Sequence, residues 1–227
     1  MITKILTLFK IARRIAQSDI MNIVSKFHEV PKIVKFFSYI FSFSFSGSNK
    51  LNNKSTSEEE RLCNSIQKMG TTFIKLGQFL STRPDIIGNE IAKQLENLQD
   101  KLPPFLTNKA KDIIKKELGE NNYNLLLNIS EPVAAASIAQ VHKAQLNDNG
   151  TIKDIAIKIL RPNIKKIFNA EIDALMLLAF LIEGTIKKTK RLKLVEVVFL
   201  LREITNLELD LRFEASAANE FLENTKN

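Results

Sequence analysis

The chain has 227 residues, 44% of them apolar, enough to bury a core for one domain of ordinary size or two small ones. A single cysteine, Cys63, excludes an internal disulfide and reads as a small apolar filler in a reducing compartment. A formal charge of +8 calls for an anionic partner such as membrane lipid, nucleotide or nucleic acid; with no Trp and only two Tyr, the stacking surfaces of a single-strand nucleic-acid binder are poorly supplied, so that partner ranks last.

Residues 1–48 form the first region. Ile2, Ile5, Leu6, Phe9 and Ile11 recur at helical spacing between Lys4, Lys10, Arg13 and Arg14. This predicts a basic amphipathic helix that either lies on an anionic membrane surface or packs on the rest of the protein. After Pro31 comes a Phe-rich stretch, with Phe36, Phe37, Phe41, Phe43 and Phe45. Ile33 to Ser46 is the nearest approach to a membrane span, but it falls short of about 18 apolar residues. No small-residue cleavage site follows an apolar run, so a secretory signal is not expected.

A polar linker covers 49–57. A helical region, 58–130, then opens with Ser57 as N-cap and Glu58, Glu59 and Glu60 in the first turn. Leu62, Ile66, Met69, Phe73, Leu76 and Leu80 alternate steps of four and three, which predicts one long helix ending before Pro84. Lys75 and Gln78 share a helical face away from that stripe. Gly77 suggests the close approach of another backbone. A further helix is expected from Gly88 to Leu98, with Ile91, Leu95 and Leu98 inward. Thr107 is placed to cap another that stops at Gly119.

The last region, 131–227, changes character. A strand is predicted from Ile138 to Leu146, a turn at Asn147–Gly150, and a second strand through Ile155, Ile157 and Ile159. Lys158 falls on the face opposite the isoleucines, an odd position for an ammonium. In protein kinases a V-A-I-K strand sets its lysine against nucleotide phosphates, held by a glutamate from a later helix. Ahead of this hairpin lies Pro132-Val133-Ala134-Ala135-Ala136-Ser137, where a kinase would carry a glycine-rich phosphate loop. Alanine does not reach positive φ cheaply, so this turn cannot wrap phosphates as glycines do. Helices are expected through Leu175 to Ile182, Leu194 to Leu201, and Asn206 to Leu222. The last would place Asp210 and Glu214 on one face, where a buried Lys158 could find a carboxylate. His28 and His142 have no ligand cluster at metal spacing.

Four segments together resemble the UbiB/ADCK family of protein-kinase-like proteins: TTFIKLGQFLSTRPDIIGNEIAKQLENLQDKLPPF (71–105), PVAAASIAQVH (132–142), IAIKILRP (155–162) and ELDLRFEASAAN (208–219). The resemblance covers roughly Phe9 to Leu222. It implies an α+β fold, in which a helical N-terminal extension precedes an incomplete protein-kinase-like N-lobe. It implies further that Lys75 and Gln78 belong to a KxGQ motif over the nucleotide cleft. Ala134, Ala135, Ala136 and Ser137 would replace the glycine-rich loop and favour ATPase-like chemistry, Lys158 would bind nucleotide with Glu214 as its partner, and Glu208 and Asp210 would form an ExD pair.

The implied cofactor of the complete family member is ATP or ADP with Mg²⁺. The implied setting is ubiquinone biosynthesis, peripherally at the cytoplasmic side of a bacterial inner membrane. Partners would be nucleotide, an anionic membrane surface or isoprenoid lipid, other quinone-biosynthesis proteins and a separate C-terminal lobe. No flavin, haem or iron motif supports a quinone-ring hydroxylase.

Beyond Lys158 the aspartates are Asp173 and Asp210 alone, and neither sits in an HRD-like or DFG-like sequence. The catalytic lobe is therefore expected to lie outside these residues, through a split or decayed gene or a longer chain. This polypeptide by itself is expected not to turn over ATP. The competing expectation is a non-catalytic lipid-binding or scaffold module.

Overall fold

The computed structural model describes residues 2–18, 20, 23, 57–98 and 102–225. The Phe-rich stretch, His28 and all of the linker except Ser57 lie outside them. Packing groups the chain into two units, one of Met1–Gln99 with Lys165–Thr205, the other of Asp100–Ile164 with Asn206–Asn227. Each has its own core.

The first unit is helical. Helix α1 (Ile2–Ala16) is the expected N-terminal amphipathic helix. One side of it packs: Ile11 is buried, and Arg14 reaches Glu171 at 3.0 Å and the Met69 carbonyl at 3.2 Å. The other side leaves Ile5, Leu6 and Phe9 exposed. Helix α2 (Glu58–Met69) starts as its sequence dictates, with the Ser57 hydroxyl accepting from the Glu60 amide at 3.1 Å.

The single long helix expected from Leu62 to Leu80 does not form. Gly70 takes φ 97°, a conformation glycine adopts freely and other residues avoid. It closes α2 and opens α3 (Thr71–Ser81) in a new direction. The buried stripe therefore resets to Thr72, Phe73, Ile74 and Gly77, and Leu76 and Leu80 are only half-buried. Gly77 does mark a close approach, but to a side chain rather than a backbone: a Cβ there would lie 2.6 Å from Leu98 Cδ2.

A short turn of helix, α4 (Pro84–Ile87), leads into α5 (Asn89–Leu95), whose Ile91 and Leu95 are buried, as is Leu98 beyond its end. Cys63 is buried among these helices and donates to the Gln94 carbonyl at 3.4 Å. Burial pushes its thiol pKa up and the Glu59 carboxylate adds to the effect, which suits an inert filler.

Helix α7 (Ile164–Thr185) and helix α8 (Leu194–Glu208), joined by a 3-10 turn over Lys187–Leu192, complete this unit. Asp173 on α7 binds Arg202 at 2.6 Å and Lys4 at 3.1 Å, so three helices meet at one carboxylate. Burial by itself would raise the Asp173 pKa. The hydrogen bonds from Lys4 and Arg202 outweigh it and hold the group below its ordinary 3.8. A depressed folded-state value gives stability that is present above the unfolded-chain value and lost as pH falls through the folded one. Asp173→Asn is thus expected to flatten the loss of thermal stability below about pH 4. Acid limbs of equal steepness in variant and parent would remove this role.

The second unit carries a small antiparallel sheet. Helix α6 (Thr107–Tyr123) precedes it and is interrupted at Gly119, φ 77°, where the helix stop was expected; one further helical turn follows. Thr107 does not cap α6. It is the first helical residue, and its hydroxyl donates to Glu131.

The strands are β1 (Leu126–Leu127), β2 (Pro132–Ala135), β3 (Ala139–Asp148) and β4 (Thr151–Leu160). β3 and β4 form the expected hairpin, closed by Asn149 at φ 50° and Gly150 at φ 91°, the two positive values that a tight hairpin turn needs. β1 and β2 both pair along the other edge of β3. β2 was expected as part of a turn. It is a strand because Ala134 and Ala135 pair with Val141 and Gln140, while Val133 forms a bulge.

Ala110 and Ile114 of α6 pack on Ile159, with Ile157 beside it, so one sheet face is covered. The helix expected from Asn206 to Leu222 is two helices. α8 ends at Glu208, and Asp210, at φ −104° and ψ 89°, caps α9 (Leu211–Asn224). Asp210 and Glu214 therefore do not share a helical face. The observed fold is the expected mixture of helices and a small antiparallel sheet in a kinase-like N-lobe.

Candidate functional site

Strand register decides which side chains share the open face of the sheet. Ala134 pairs with Val141, and Val141 pairs with Lys158. Paired residues project to the same side, so these three form a row across β2, β3 and β4. Ala156, two residues before Lys158, projects to that side too. The opposite face carries Gln140, His142, Ile157 and Ile159. The alternation Ile-Ala-Ile-Lys sorts itself this way: the isoleucines go under α6, and the alanine and lysine stay open.

Lys158 meets Glu214 of α9. Its ammonium donates to both carboxylate oxygens, at 2.8 and 2.6 Å. The pair is not buried as anticipated; the side chains are 37% and 60% exposed. An exposed pair of this kind contributes only about 0–1 kcal/mol to stability. Its geometry holds a cation upright on an open face.

The alanine turn adjoins that face. Ala134 is exposed, Ala135 and Ala136 are half-buried, and Ser137 is fully buried beneath them. None of the four has positive φ, and the Ala136 amide closes the turn on the Ala139 carbonyl at 2.8 Å. The turn is unstrained, which is why alanine suffices where a phosphate-wrapping loop would need glycine.

Asp210 is engaged elsewhere. Besides capping α9 it accepts from Arg212 Nε at 2.8 Å and Nη2 at 2.5 Å. Glu208 is exposed at the end of α8. Lys75 and Gln78 lie on α3, both half-buried, and belong to the first unit. The second unit thus brings together Lys158, Glu214 and the alanine turn, while Asp210 faces Arg212. Among the described residues no group of three or more His, Cys, Asp or Glu side chains is placed to hold a metal ion.

Three residues that sequence reasoning passed over organise the unit. Gln140 and His142 are fully buried neighbours on β3, their amide and imidazole nitrogens 2.9 Å apart. Gln140 also brackets the Phe105 backbone, accepting from its amide at 2.9 Å and donating to its carbonyl at 3.2 Å. His142 Nδ1 lies 2.7 Å from the Ser130 carbonyl. Two polar residues at i and i+2 on an inward strand face were the available signal. The third, Arg161, follows β4 directly and binds the backbone carbonyls of Ala136 and Pro103.

An open sheet face with a strand lysine tied to a helix glutamate defines a kinase-like N-lobe. A family model described as the ABC1 atypical kinase-like domain matches residues 97–227. The chain is 39% identical over 172 residues to the "Probable protein kinase UbiB" of Marinobacter nauticus, covering 75% of this chain and 31% of that one. It is 40% identical over 166 residues to the protein of the same name in Aliivibrio fischeri (73% and 30%), and 40% over 180 residues to that of Shewanella baltica (77% and 32%). The chain belongs to the ABC1 atypical kinase-like family. It spans about a third of the length of the curated relatives it matches.

Proposed function

We propose that this chain is the nucleotide-binding N-lobe portion of a UbiB-type atypical kinase or ATPase that supports ubiquinone biosynthesis. The observation that carries the reading is the double hydrogen bond from Lys158 to Glu214, made across 56 residues of sequence. A lysine so held presents its charge to an anionic ligand on the open face. Val141 and Ala156 leave a small apolar shelf beside it that suits a base ring. The alanine turn would lie against the phosphates, and Lys75 and Gln78 remain the candidate KxGQ pair of the helical extension. Glu208 and Asp210 are the remaining candidates for the nucleotide side, Asp210 only if Arg212 releases it.

Phosphoryl transfer also requires a catalytic carboxylate and metal-binding carboxylates. With no HRD-like or DFG-like sequence among these residues, the chain alone is proposed to bind ATP or ADP without turnover. Mg²⁺ would come with the nucleotide and need ligands from a further lobe. Calorimetric titration with MgATP and a phosphate-release assay test both halves. Saturable binding with no release is expected; absence of binding overturns the first half, and a magnesium-dependent rate lost in Lys158→Ala overturns the second.

A second reading rests on α1. Exposed Ile5, Leu6 and Phe9 beside Lys10 and Arg13 suit an anionic membrane surface or isoprenoid lipid at the inner membrane. The chain would then serve as a peripheral scaffold for other quinone-biosynthesis proteins. Deleting residues 1–48 is expected to abolish sedimentation with anionic liposomes. Undiminished binding removes α1 from that role.

A further inference from the structure

Arg161 spends its guanidinium on backbone carbonyls. It stands at the end of β4, three residues after Lys158, and its guanidinium serves three backbone carbonyls at once. Nε and Nη2 donate to Ala136 O at 3.0 and 2.8 Å, Nη1 to Pro103 O at 3.0 Å, and Nη2 to Leu102 O at 3.2 Å. Its own amide donates to Ile138 O at 2.9 Å. Ala136 and Ile138 flank Ser137, so Arg161 holds the C-terminal end of the alanine turn on either side of Ser137. Leu102 and Pro103 begin the strap whose continuation, Phe105, is bracketed by Gln140.

We infer that Arg161 is a positioning residue that fixes the alanine turn relative to Lys158. This rests on the nucleotide reading above and deepens it by assigning what holds the phosphate-facing turn in place. The three alanines carry no polar side-chain group, so beyond the Ala136–Ala139 backbone bond their carbonyls depend on donors from elsewhere, and a carbonyl held by two N–H donors is a fixed point. A guanidinium spreads five donors over three nitrogens in a fixed plane and can span carbonyls set apart, whereas an ammonium directs its three donors from a single atom. Lysine should therefore keep the charge and lose the clamp.

The test compares the 227-residue chain with Arg161→Lys and Arg161→Gln, chosen over alanine because both retain a long, polar side chain. Amide hydrogen exchange is read at Ala136, whose hydrogen bond closes the turn, and at Leu146 and Lys153, paired at the far end of the hairpin. In Arg161→Lys, exchange at Ala136 is expected to quicken by about tenfold or more while the distal amides stay within about twofold. Unchanged exchange at Ala136, or an equal rise along the whole hairpin, overturns the clamp.

A second arm titrates MgATP and adenosine. ATP affinity is expected to fall about tenfold in Arg161→Lys, with adenosine affinity unaltered. Equal losses for both ligands overturn the link to phosphates. If the parent chain binds neither, the nucleotide reading fails while the exchange arm still decides the clamp.

Discussion

Lys158→Ala is expected to weaken MgATP binding by about 10- to 100-fold, the loss of one or two charge-assisted hydrogen bonds to phosphate. The same substitution is expected to cost no more than about 1 kcal/mol of stability. The asymmetry follows from exposure. Lys158 and Glu214 bond at 2.6 and 2.8 Å, yet both side chains face solvent, where water competes for the pair and little folding free energy rests on it. On the proposed nucleotide reading, the role of the pair is to present the ammonium to a ligand. Glu214→Gln keeps a hydrogen-bond acceptor but removes the charge, and should give a smaller loss of affinity. Calorimetry and thermal unfolding on the same samples decide the matter. Unaltered nucleotide affinity would remove Lys158 from the site, and a loss of several kcal/mol in folding would make the pair structural.

His142→Leu should do the reverse. His142 is fully buried, with Nδ1 against the Ser130 carbonyl and Nε2 against the Gln140 amide. Because a carbonyl only accepts, Nδ1 must carry the proton, leaving Nε2 to accept from Gln140. Leucine fills similar space but satisfies neither neighbour, so a half-buried carbonyl and a buried amide each lose a partner. Each such loss costs about 1–3 kcal/mol, for a sum of roughly 2–6 kcal/mol. For a domain of this size that lowers the unfolding midpoint by about 10 °C or more. Gln140 would keep its bonds to Phe105, so His142→Gln, which can still bridge, should recover part of the loss. A midpoint for His142→Leu within about 2 °C of the parent would show that water replaces the imidazole.

Much of the second unit was legible in the sequence. The β3–β4 hairpin follows from strict alternation and from Asn149-Gly150, because only a tight turn with two positive φ values joins such strands without splaying them. The same alternation put Lys158 on the face away from Ile157 and Ile159. The start of α2 was legible because the Ser57 cap and its glutamates satisfy local amides, a matter of a few residues.

What was not legible depended on competition between distant groups. The apolar steps of α2 and α3 fit one helix, but Gly70 could leave the helical region at little cost and did so. The sequence offered Asp210 as a helical carboxylate beside Glu214. In the fold its oxygens meet the Arg212 amide and guanidinium, and it ends one helix and starts another. β2 looked like a turn because Pro132 and two alanines leave Val133 as its one strand former; pairing with β3 made it a strand.

The sequence by itself determined the family, the hairpin and the face of Lys158, since each is encoded by residue type at short range. Only the tertiary structure decided that Arg161 binds Ala136, Pro103 and Leu102, that Gln140 and His142 form a buried polar pair, and that the Lys158–Glu214 pair is exposed. Hydrogen bonds to backbone carbonyls leave no mark on residue periodicity. Their partners are fixed by where the chain returns in space.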